Sequence, residues 1–366
     1  MFLQVIVFSG GGTGGHVYPG IAVLQALRAV LKDEVRFVWI GSRGGIERKI
    51  IEGLGVEYRA ISTGKLRRYF DWKNLTDLVR IVAGYLQAKR LLKALKPVFV
   101  FSKGGFVSVP PVRAARRLGI PVYSHESDLD PGLATRLNLG ASRLVFCAYT
   151  ESVAHFAEGV RPRVIVSGNP VRREMFSGDP GWIRRNWPVP PGARILLVLG
   201  GSLGARQVND AVVEVLPQLQ GQVFIVHQTG QEWDPLPDTP WYVSRPYFPV
   251  EMPDLYAGAD LIFGRAGAGT LWEAAATRVP LILLPLGAGS RGDQVRNAEL
   301  FASRGAAVVL DAGSAGAQLV AAVTHLLRDP GAALSARDAL AGFDADGAAA
   351  RIAAELSRRH PEVSRV

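Results

Sequence analysis

The 366-residue sequence has a single cysteine, Cys147, and no apolar run that approaches the ~18 residues of a membrane span. One cysteine excludes a disulfide framework, and its place in the apolar run 144–148 predicts a buried, inert thiol. No His, Cys, Asp and Glu cluster has metal-ligand spacing, and no G-x-S-x-G nucleophile elbow is present. The apolar start runs straight into glycines, so we expect a first strand rather than a cleavable signal, and a cytoplasmic protein.

The composition is that of a globular protein with a local excess of positive charge. Hydrophobic residues make up 48% and charged residues 20%, and the length predicts about two domains. The net charge is +10, and residues 65–96 hold nine Lys or Arg against two Asp. Such a surface favours anionic lipid, nucleic acid or a phosphorylated substrate. Because no nucleic-acid-binding motif is recognisable, we expect no nucleic-acid partner.

The stretch 5–19 predicts a strand, a glycine-rich loop and a helix. Five glycines at 10, 11, 12, 14 and 15 surround Thr13 and precede His16. Open parallel sheets bind ligands at the carboxyl ends of their strands, so Thr13, Gly14, Gly15 and His16 are candidate site residues. The spacing also matches the dinucleotide fingerprint, but Gly41, Ser42 and Arg43 stand where NAD needs an acidic residue. NADP, with Arg43 on its phosphate, remains an alternative.

Apolar strands alternate with helical patterns along the whole chain. After a Pro- and Gly-rich stretch that follows residue 170, the opening pattern of strand, glycine turn and helix repeats at 193–206. We therefore predict an α/β protein of two Rossmann-like doubly wound domains, 1–168 and 169–343, followed by a C-terminal helix in 344–366 that packs on either lobe. The predicted later strands are 35–40, 98–101, 120–123, 143–146, 164–166, 193–199, 223–226, 241–243, 260–263, 281–284 and 307–310.

A second glycine-rich stretch, 264–273, follows a predicted strand and opens a helix. Its small residues leave the first backbone N–H groups open to an anion, which the helix dipole also favours. We interpret it as a diphosphate cradle, with a capping box formed by Thr270 and Glu273 as the alternative. Arg172 offers a cation near the predicted hinge, and Gln294 follows a glycine-rich loop suited to sugar hydroxyls, although an ordinary N-cap would look similar.

A basic and aromatic cluster lies within the positively charged segment 65–96. It predicts contact with an anionic membrane surface, where aromatic rings favour the interface; a solvated helix start is the alternative. The cluster consists of Arg67, Arg68, Tyr69, Phe70, Trp72 and Lys73.

Taken together, the motifs resemble those of the MurG family, bacterial glycosyltransferases of the GT-B fold. The matching segments appear in the family's order at 11–16, 104–108, 125–126, 168–172, 200–206 and 265–273. The resemblance implies two domains facing across a cleft and an inverting transfer that needs neither a metal nor a cofactor. N-acetylglucosamine would pass from UDP-N-acetylglucosamine to the 4-hydroxyl of the muramyl sugar of lipid I, giving lipid II for peptidoglycan synthesis. The protein would act on the inner face of the plasma membrane, peripherally associated.

The resemblance also implies roles for individual residues. His16 would be the catalytic base, with Glu126 as a second catalytic candidate, and an imidazole's ordinary pKa suits proton removal near neutral pH. Thr13, Gly14 and Gly15 would lie where the acceptor hydroxyl meets the donor sugar. The donor would be held by Arg172, Ser202, Phe248, Ala268, Gly269, Thr270, Leu271, Glu273 and Gln294.

The chain departs from the family pattern after His125-Glu126. The family usually has Gln and Asn there, whereas this chain has Ser127 and Asp128. Asp128 takes the place of a donor-binding residue and is a candidate substrate-binding residue, although an anionic carboxylate beside a diphosphate would be repelled unless it is protonated or paired. Leu203 and Pro249 are further departures. Two rival functions stay open: another GT-B transferase with a different acceptor, and an NADP-binding oxidoreductase.

Overall fold

The computed structural model describes residues 4–64, 73–201, 204–248, 250–287 and 292–364. The chain divides into two compact units. Unit 1 comprises Met1–Pro170 and Gly347–Val366, and unit 2 comprises Val171–Asp346. The division therefore falls two residues after the predicted boundary at 168, and the C-terminal segment belongs to unit 1.

Unit 1 is built on a parallel sheet of seven strands among its described residues, in the order β3-β2-β1-β4-β5-β6-β7. The strands are β1 Val5–Gly10, β2 Arg36–Ser42, β3 Glu57–Ile61, β4 Phe99–Gly104, β5 Val122–Glu126, β6 Leu144–Cys147 and β7 Val164–Val166. The helices of its first segment are α1 Tyr18–Val30, α2 Ile46–Gly53, α3 Lys73–Leu95, α4 Val109–Arg117 and α5 Leu133–Asn138.

The core of unit 1 lies on both faces of this sheet, as near-continuous apolar strands require. On one face Phe8 and Trp39 stack with ring centroids 5.8 Å apart, and both side chains are fully buried. On the other face Val7, Val38 and Val100 pack with Ala88 and Leu92 of α3. Burying both faces holds the strands rigidly, which fixes where their carboxyl ends lie.

Unit 2 repeats the design with six parallel strands among its described residues, in the order β10-β9-β8-β11-β12-β13. The strands are β8 Arg194–Leu199, β9 Val223–Gln228, β10 Tyr242–Arg245, β11 Leu261–Gly264, β12 Leu281–Leu283 and β13 Ala307–Val309. The helices are α6 Trp182–Asn186, α7 Arg206–Leu219, α8 Met252–Gly258, α9 Ala268–Thr277, α10 Asp293–Ser303, α11 Ala315–Arg328 and α12 Pro330–Ala341.

The last helix, α13 Ala348–Arg359, returns to unit 1 and packs against α1. Ile352 and Leu356 are fully buried in the same core cluster as Phe8. Beyond the helix, the His360 ring accepts a hydrogen bond at Nε2 from the Tyr123 hydroxyl, at 2.9 Å, while Nδ1 donates to Glu362. These contacts join the end of the chain to the centre of unit 1.

The prediction of two doubly wound parallel sheets is confirmed, with strand ends that differ by at most three residues. Strand β3 and the short helices α2, α4 and α5 of unit 1 were not predicted individually. Strand β3 is an edge strand whose central residues are exposed, so its sequence lacks an apolar run. Helix α2 is short and buries only Glu47 and Ile51, which gives a weak helical pattern.

Candidate functional site

The site region of unit 1 lies where the strand order reverses. Strands β1 and β4 are neighbours in the sheet although they are far apart in sequence, and both end in glycines: Gly10 is the register partner of Gly104. At such a topological switch point the loops of the two strands leave in opposite directions and open a crevice. The loop 10–16 and the turn 103–106 therefore meet at the carboxyl edge of the sheet.

The backbone approaches very closely at this edge. A Cβ on Gly105 would lie 2.9 Å from Cδ2 of His16 and 2.7 Å from the carbonyl oxygen of Gly11, and the residue has φ +73°. A Cβ on Gly10 would lie 2.5 Å from the carbonyl oxygen of His16. Glycine is required at both positions because a side chain would displace the histidine.

His16 ends a single 3-10 turn, Gly14–His16, that precedes α1. Thr13 and Gly15 are exposed, whereas the ring of His16 is half-buried. Its Nδ1 is buried and has no hydrogen-bond partner among the described residues. Burial, together with the positive charge of Lys103, lowers the pKa of His16 to about 4. The expectation of a near-neutral pKa was therefore wrong: the ring is uncharged at pH 7 and is a weak base.

The carboxylate of Glu126, at the end of β5, is held by the loop that follows it. Its oxygens accept backbone N–H groups from Ser127 at 2.8 Å, Asp128 at 3.1 Å and Gly132 at 3.0 Å. Three N–H donors on one carboxyl group fix the loop. Glu126 thus organises the backbone on which Asp128 lies.

His125, the residue before Glu126, contacts the backbone that follows β7. Its Nε2 lies 3.0 Å from the carbonyl oxygen of Gly168, and since a carbonyl only accepts, Nε2 carries the proton. Burial and Lys103 lower the pKa of His125 well below its ordinary value. The ring is a neutral structural link between β5 and the segment 168–169.

In unit 2 the corresponding switch point lies between β8 and β11, whose register pairs Leu199 with Gly264. Helix α9 begins just beyond, with Gly267 as its N-cap and no capping side chain among the described residues. The first backbone bond of the helix is from the Leu271 N–H to the Gly267 carbonyl, at 3.1 Å. The N–H groups of Ala268, Gly269 and Thr270 therefore have no intrahelical acceptor.

Two observations favour an anion cradle over a capping box here. Thr270 lies inside the first turn rather than at the N-cap, so it cannot act as the first residue of such a box. A Cβ on Gly267 or Gly269 would meet nothing within 4 Å, so the space before the helix is open. Open N–H groups at a positive helix end suit a phosphate.

Side chains from three segments of unit 2 meet beside this helix. Nη2 of Arg172 lies 3.4 Å from Oε1 of Glu273, and both side chains are mostly buried. The Tyr256 hydroxyl also bonds to Glu273, and burial raises the pKa of Tyr256 well above its ordinary range. Burial raises the pKa of Glu273 too, while Arg172 opposes that rise. The result is a partly desolvated ion pair beside α9.

The other predicted donor residues are placed less directly. The Phe248 ring is buried and packs on Trp187 with centroids 6.0 Å apart, so recognition of a base at this position would use main-chain groups. The side-chain oxygen of Gln294 accepts the Leu286 N–H at 2.9 Å, leaving the NH₂ group as its donor. Leu271 is fully buried, so its side chain belongs to the core rather than to the site surface.

Several predicted residues lie outside the described residues. These are Ser202, Leu203, Pro249 and the basic and aromatic cluster of Arg67, Arg68, Tyr69, Phe70 and Trp72; of Lys73 only the backbone is described. Cys147 is buried in β6, and burial raises its pKa to about 12, in line with an inert thiol. Within the described ranges, no group of three His, Cys, Asp or Glu is arranged to hold a metal ion. In those same ranges no helix is both long and apolar enough to cross a membrane.

The sequence analysis missed two buried charged residues that support the unit 1 site. Glu47, fully buried on α2, accepts the Gly12 N–H at 3.2 Å and so ties the first glycine-rich loop to the end of β2. Lys103, 2% exposed at the end of β4, donates to Ser127. Lys103 could have been noticed as a charged residue between a strand and two glycines, whereas Glu47 carries no such signal.

Comparison with known proteins places this architecture in one family. The glycosyltransferase family 28 N-terminal domain matches residues 6–145, and the family 28 C-terminal domain matches residues 195–352. Proteins named UDP-N-acetylglucosamine--N-acetylmuramyl-(pentapeptide) pyrophosphoryl-undecaprenol N-acetylglucosamine transferase are similar over most of the chain. The one from Treponema denticola is 42% identical over 330 residues, 84% of each chain. That from Lachnospira eligens is 43% identical over 311 residues, 84% of this chain and 86% of the relative.

Solved structures agree on the fold. MurG of Acinetobacter baumannii superposes with a TM-score of 0.68 at 23% identity, covering 97% of this chain and 99% of its own. The calicheamicin glycosyltransferase CalG4 gives a TM-score of 0.70 at 18% identity, covering 99% of both chains. A Listeria monocytogenes structure described as a putative UDP-N-acetylglucosamine 2-epimerase gives 0.72 at 15% identity, covering 100% of this chain and 99% of its own. At these identities the structures support the GT-B fold alone, whereas the family models and the curated relatives show that the chain belongs to glycosyltransferase family 28, among the N-acetylmuramyl-(pentapeptide) pyrophosphoryl-undecaprenol N-acetylglucosamine transferases.

Proposed function

We propose that this protein transfers N-acetylglucosamine from UDP-N-acetylglucosamine to the 4-hydroxyl of the muramyl sugar of lipid I, giving lipid II. The observation that carries the proposal is the identity of about 42% to transferases of that name across 84% of the chain. That length spans both units, so the likeness is not confined to a common nucleotide-binding half. The NADP-oxidoreductase alternative has no such support.

The donor is assigned to unit 2. The diphosphate binds at the first turn of α9, where the N–H groups of Ala268, Gly269 and Thr270 and the positive end of the helix dipole face it. Arg172 adds a cation nearby. As the sugar leaves, negative charge grows on UDP, and these fixed donors stabilise it without reorganising. Glu273, already partly desolvated, accepts hydrogen bonds from the ribose hydroxyls of UDP.

The acceptor is assigned to unit 1. Thr13 and Gly15 are exposed and belong to the same loop as His16, whose ring is neutral at pH 7 and so has a lone pair to accept a proton. The acceptor oxygen forms its bond to the anomeric carbon as the bond to UDP breaks, and the hydroxyl proton passes to His16. Because a sugar hydroxyl is a far weaker acid than an imidazolium, proton transfer to His16 accompanies bond cleavage rather than preceding it.

The test of this function is product formation with defined acceptors. Purified protein is given labelled UDP-N-acetylglucosamine with lipid I, diacylglycerol or a soluble aglycone, and UDP release and labelled lipid are measured. We expect turnover with lipid I alone. Turnover only with another acceptor would show that the protein has a different GT-B activity. Binding of NADPH but not UDP would contradict the proposed enzyme class.

We further propose that α3 brings unit 1 to an anionic membrane surface. Leu78, Val79, Val82 and Leu86 lie on one helix face and are 52–66% exposed. The same face continues into Lys89 and the exposed Lys93 one and two turns later. An apolar stripe followed by cations matches the interface of an anionic bilayer, where the apolar side chains enter the headgroup region and the lysines meet the lipid charge.

This surface can be tested with one double variant and a matched control. Val79→Ser with Leu86→Ser removes exposed apolar groups at little cost in stability, and we expect about 10-fold weaker binding to phosphatidylglycerol vesicles. Leu334→Ser, at a position 60% exposed on α12 of unit 2, should leave binding unchanged. Binding should also weaken with salt. Equal binding of the wild type, the double variant and the Leu334→Ser control to phosphatidylglycerol vesicles would contradict the proposal. So would wild-type binding to neutral phosphatidylcholine vesicles that is as strong as its binding to phosphatidylglycerol vesicles.

A further inference from the structure

Gln228 ends β9, the strand that lies between β10 and β8 in the sheet of unit 2. Its register partners are Leu199 at the end of β8 and Arg245 at the end of β10. Leu199 is in turn the register partner of Gly264, beyond which α9 begins. The segments that follow β8 and β10 therefore leave the carboxyl edge of the sheet on the two sides of Gln228. The first of them starts from the strand next to β11, which leads into the diphosphate cradle.

The side-chain amide of Gln228 joins these two segments. Its Nε2 donates to the carbonyl oxygen of Gly201 at 3.3 Å, and its Oε1 accepts the backbone N–H of Phe248 at 3.3 Å. The orientation of the amide is fixed by its partners, because a carbonyl oxygen can only accept and an N–H group can only donate. Gln228 is 3% exposed, so loss of its amide would leave both backbone groups without a ready replacement from water.

The segment that follows β8 also contacts the end of β9 at a second point. A Cβ on Gly204 would lie 2.7 Å from the carbonyl oxygen of Thr229, the residue after Gln228. Nδ2 of Asn209, near the start of α7, donates to the same oxygen at 2.9 Å. The end of β9 thus holds this segment at Gly201 through a side chain and at Gly204 through close backbone packing.

We propose that Gln228 is a positioning residue for the nucleotide of the donor, because its amide holds the segment after β8 and the main chain at Phe248 at a fixed spacing. The inference rests on the proposed function, in which unit 2 binds UDP with the diphosphate at the start of α9 and the base near Phe248. A ligand that contacts two parts of a site gains affinity from both only when their spacing matches its own. Gln228 is itself buried and acts through the two segments rather than on the reacting atoms.

Binding of UDP and of its two fragments tests this role. Gln228→Leu removes both hydrogen bonds with little change in side-chain volume, and the dissociation constant of UDP should rise about 10-fold. The dissociation constants of uridine and of pyrophosphate should rise less than about 3-fold, because each fragment meets only one part of the site. KM for UDP-N-acetylglucosamine should rise with that of UDP, while kcat and KM for lipid I stay within about 2-fold. Gln222→Leu is the matched control and should change none of these constants, since Gln222 is exposed before β9 and donates only to the Gln218 carbonyl, at 2.8 Å.

Amide hydrogen exchange gives a second measurement that needs no catalysis. The Phe248 N–H should exchange about 10-fold faster in Gln228→Leu than in the wild type. Gln228→Glu keeps an acceptor for that N–H but loses the donor to Gly201, so exchange at Phe248 should stay slow while UDP still binds more weakly. This second variant also tests the role if Gln228→Leu does not fold. The Ile225 N–H, which donates to the Trp241 carbonyl at 2.9 Å, reports in each protein that the sheet is intact.

Three results would overturn the inference. They are unchanged affinity for UDP in both Gln228 variants, an equal loss of affinity for UDP and for both fragments, and equal exchange at Phe248 in the wild type and Gln228→Leu. Wild-type protein that binds UDP but forms no product with lipid I would instead refute the proposed function. In that case the binding and exchange measurements would still decide whether Gln228 positions the nucleotide.

Discussion

Replacing Glu47 with alanine tests whether a buried carboxylate holds the first glycine-rich loop in place. Oε1 of Glu47 accepts the Ser42 N–H at 3.0 Å and the Ser42 hydroxyl at 2.5 Å, while Oε2 accepts the Gly12 N–H at 3.2 Å. The side chain is fully buried. It also stands in the first turn of α2, where the helix dipole favours a negative charge.

The cost of the substitution can be worked from these contacts. Glu47→Ala leaves the buried Ser42 N–H and the part-buried Gly12 N–H without an acceptor, at about 1–3 kcal/mol each, although removing a buried carboxyl group offsets part of that sum. We expect a net loss of about 3 kcal/mol in the free energy of unfolding. For a unit of this size each kcal/mol lowers Tm by about 2–4 °C, so unit 1 should melt about 6–12 °C earlier.

The assay combines thermal unfolding with steady-state kinetics. Calorimetry should show the fall in Tm, and kcat/KM for lipid I should fall because Gly12 adjoins Thr13–His16, while affinity for UDP is retained. Glu52→Ala is the matched control on the same helix: Glu52 is half exposed and pairs with Arg48 at 3.0 Å, so its loss should cost at most about 0.5 kcal/mol. If the Glu47→Ala and Glu52→Ala variants have the same Tm and the same kcat/KM, Glu47 does not hold the loop.

Three further outcomes are expected. His16→Ala should lower kcat about 10²–10⁴-fold with UDP affinity within about twofold, measured by lipid II formation and calorimetry, and an unchanged rate would exclude His16 as the base. Glu273→Ala should weaken UDP binding about 10-fold or more by deleting the proposed ribose contact, and unaltered affinity would contradict that role. Burial lowers the pKa of His227 to about 4. As the pH drops from about 6.5 towards 4, the unfolded chain binds a proton at His227 that the native protein does not bind, so the free energy of unfolding should fall. Denaturant titrations at several pH values should show a shallower fall for His227→Gln.

The fold could be predicted because its signals are local. Buried parallel strands are apolar throughout, and glycine turns mark their carboxyl ends, so β1, β8 and β11 are visible in short windows of sequence. The edge strand β3 lacks that signal because its middle residues face solvent. The register between strands also lies outside any local window, since β1 pairs with β4 about ninety residues later.

The site could be predicted only where a motif carries it. The loop 10–16 and the start of α9 combine several glycines with a strand before and a helix after, and that pattern favours a ligand. Glu47 and Lys103 are single charged residues, and most single charged residues are exposed. Their burial follows from contacts 35 and 24 residues away in sequence, to Gly12 and Ser127. The pKa of His16 likewise depends on burial and on Lys103, which is distant in sequence, so the ordinary value that the sequence suggested was wrong.

The two units share one topology but differ in what they place at the switch point. In unit 1, titratable side chains gather there: Lys103 helps to lower the pKa of His16, and the charges of Glu126 and Asp128 oppose the fall in the pKa of Lys103. In unit 2, the switch point presents main-chain N–H groups at a helix start with Arg172 beside them. Main-chain donors bind an anion without exchanging protons, whereas only titratable groups can take a proton from a hydroxyl. Since an epimerase-like structure and several glycosyltransferases share this fold, the difference between the two switch points, rather than the fold, supports donor binding by unit 2 and acceptor activation by unit 1.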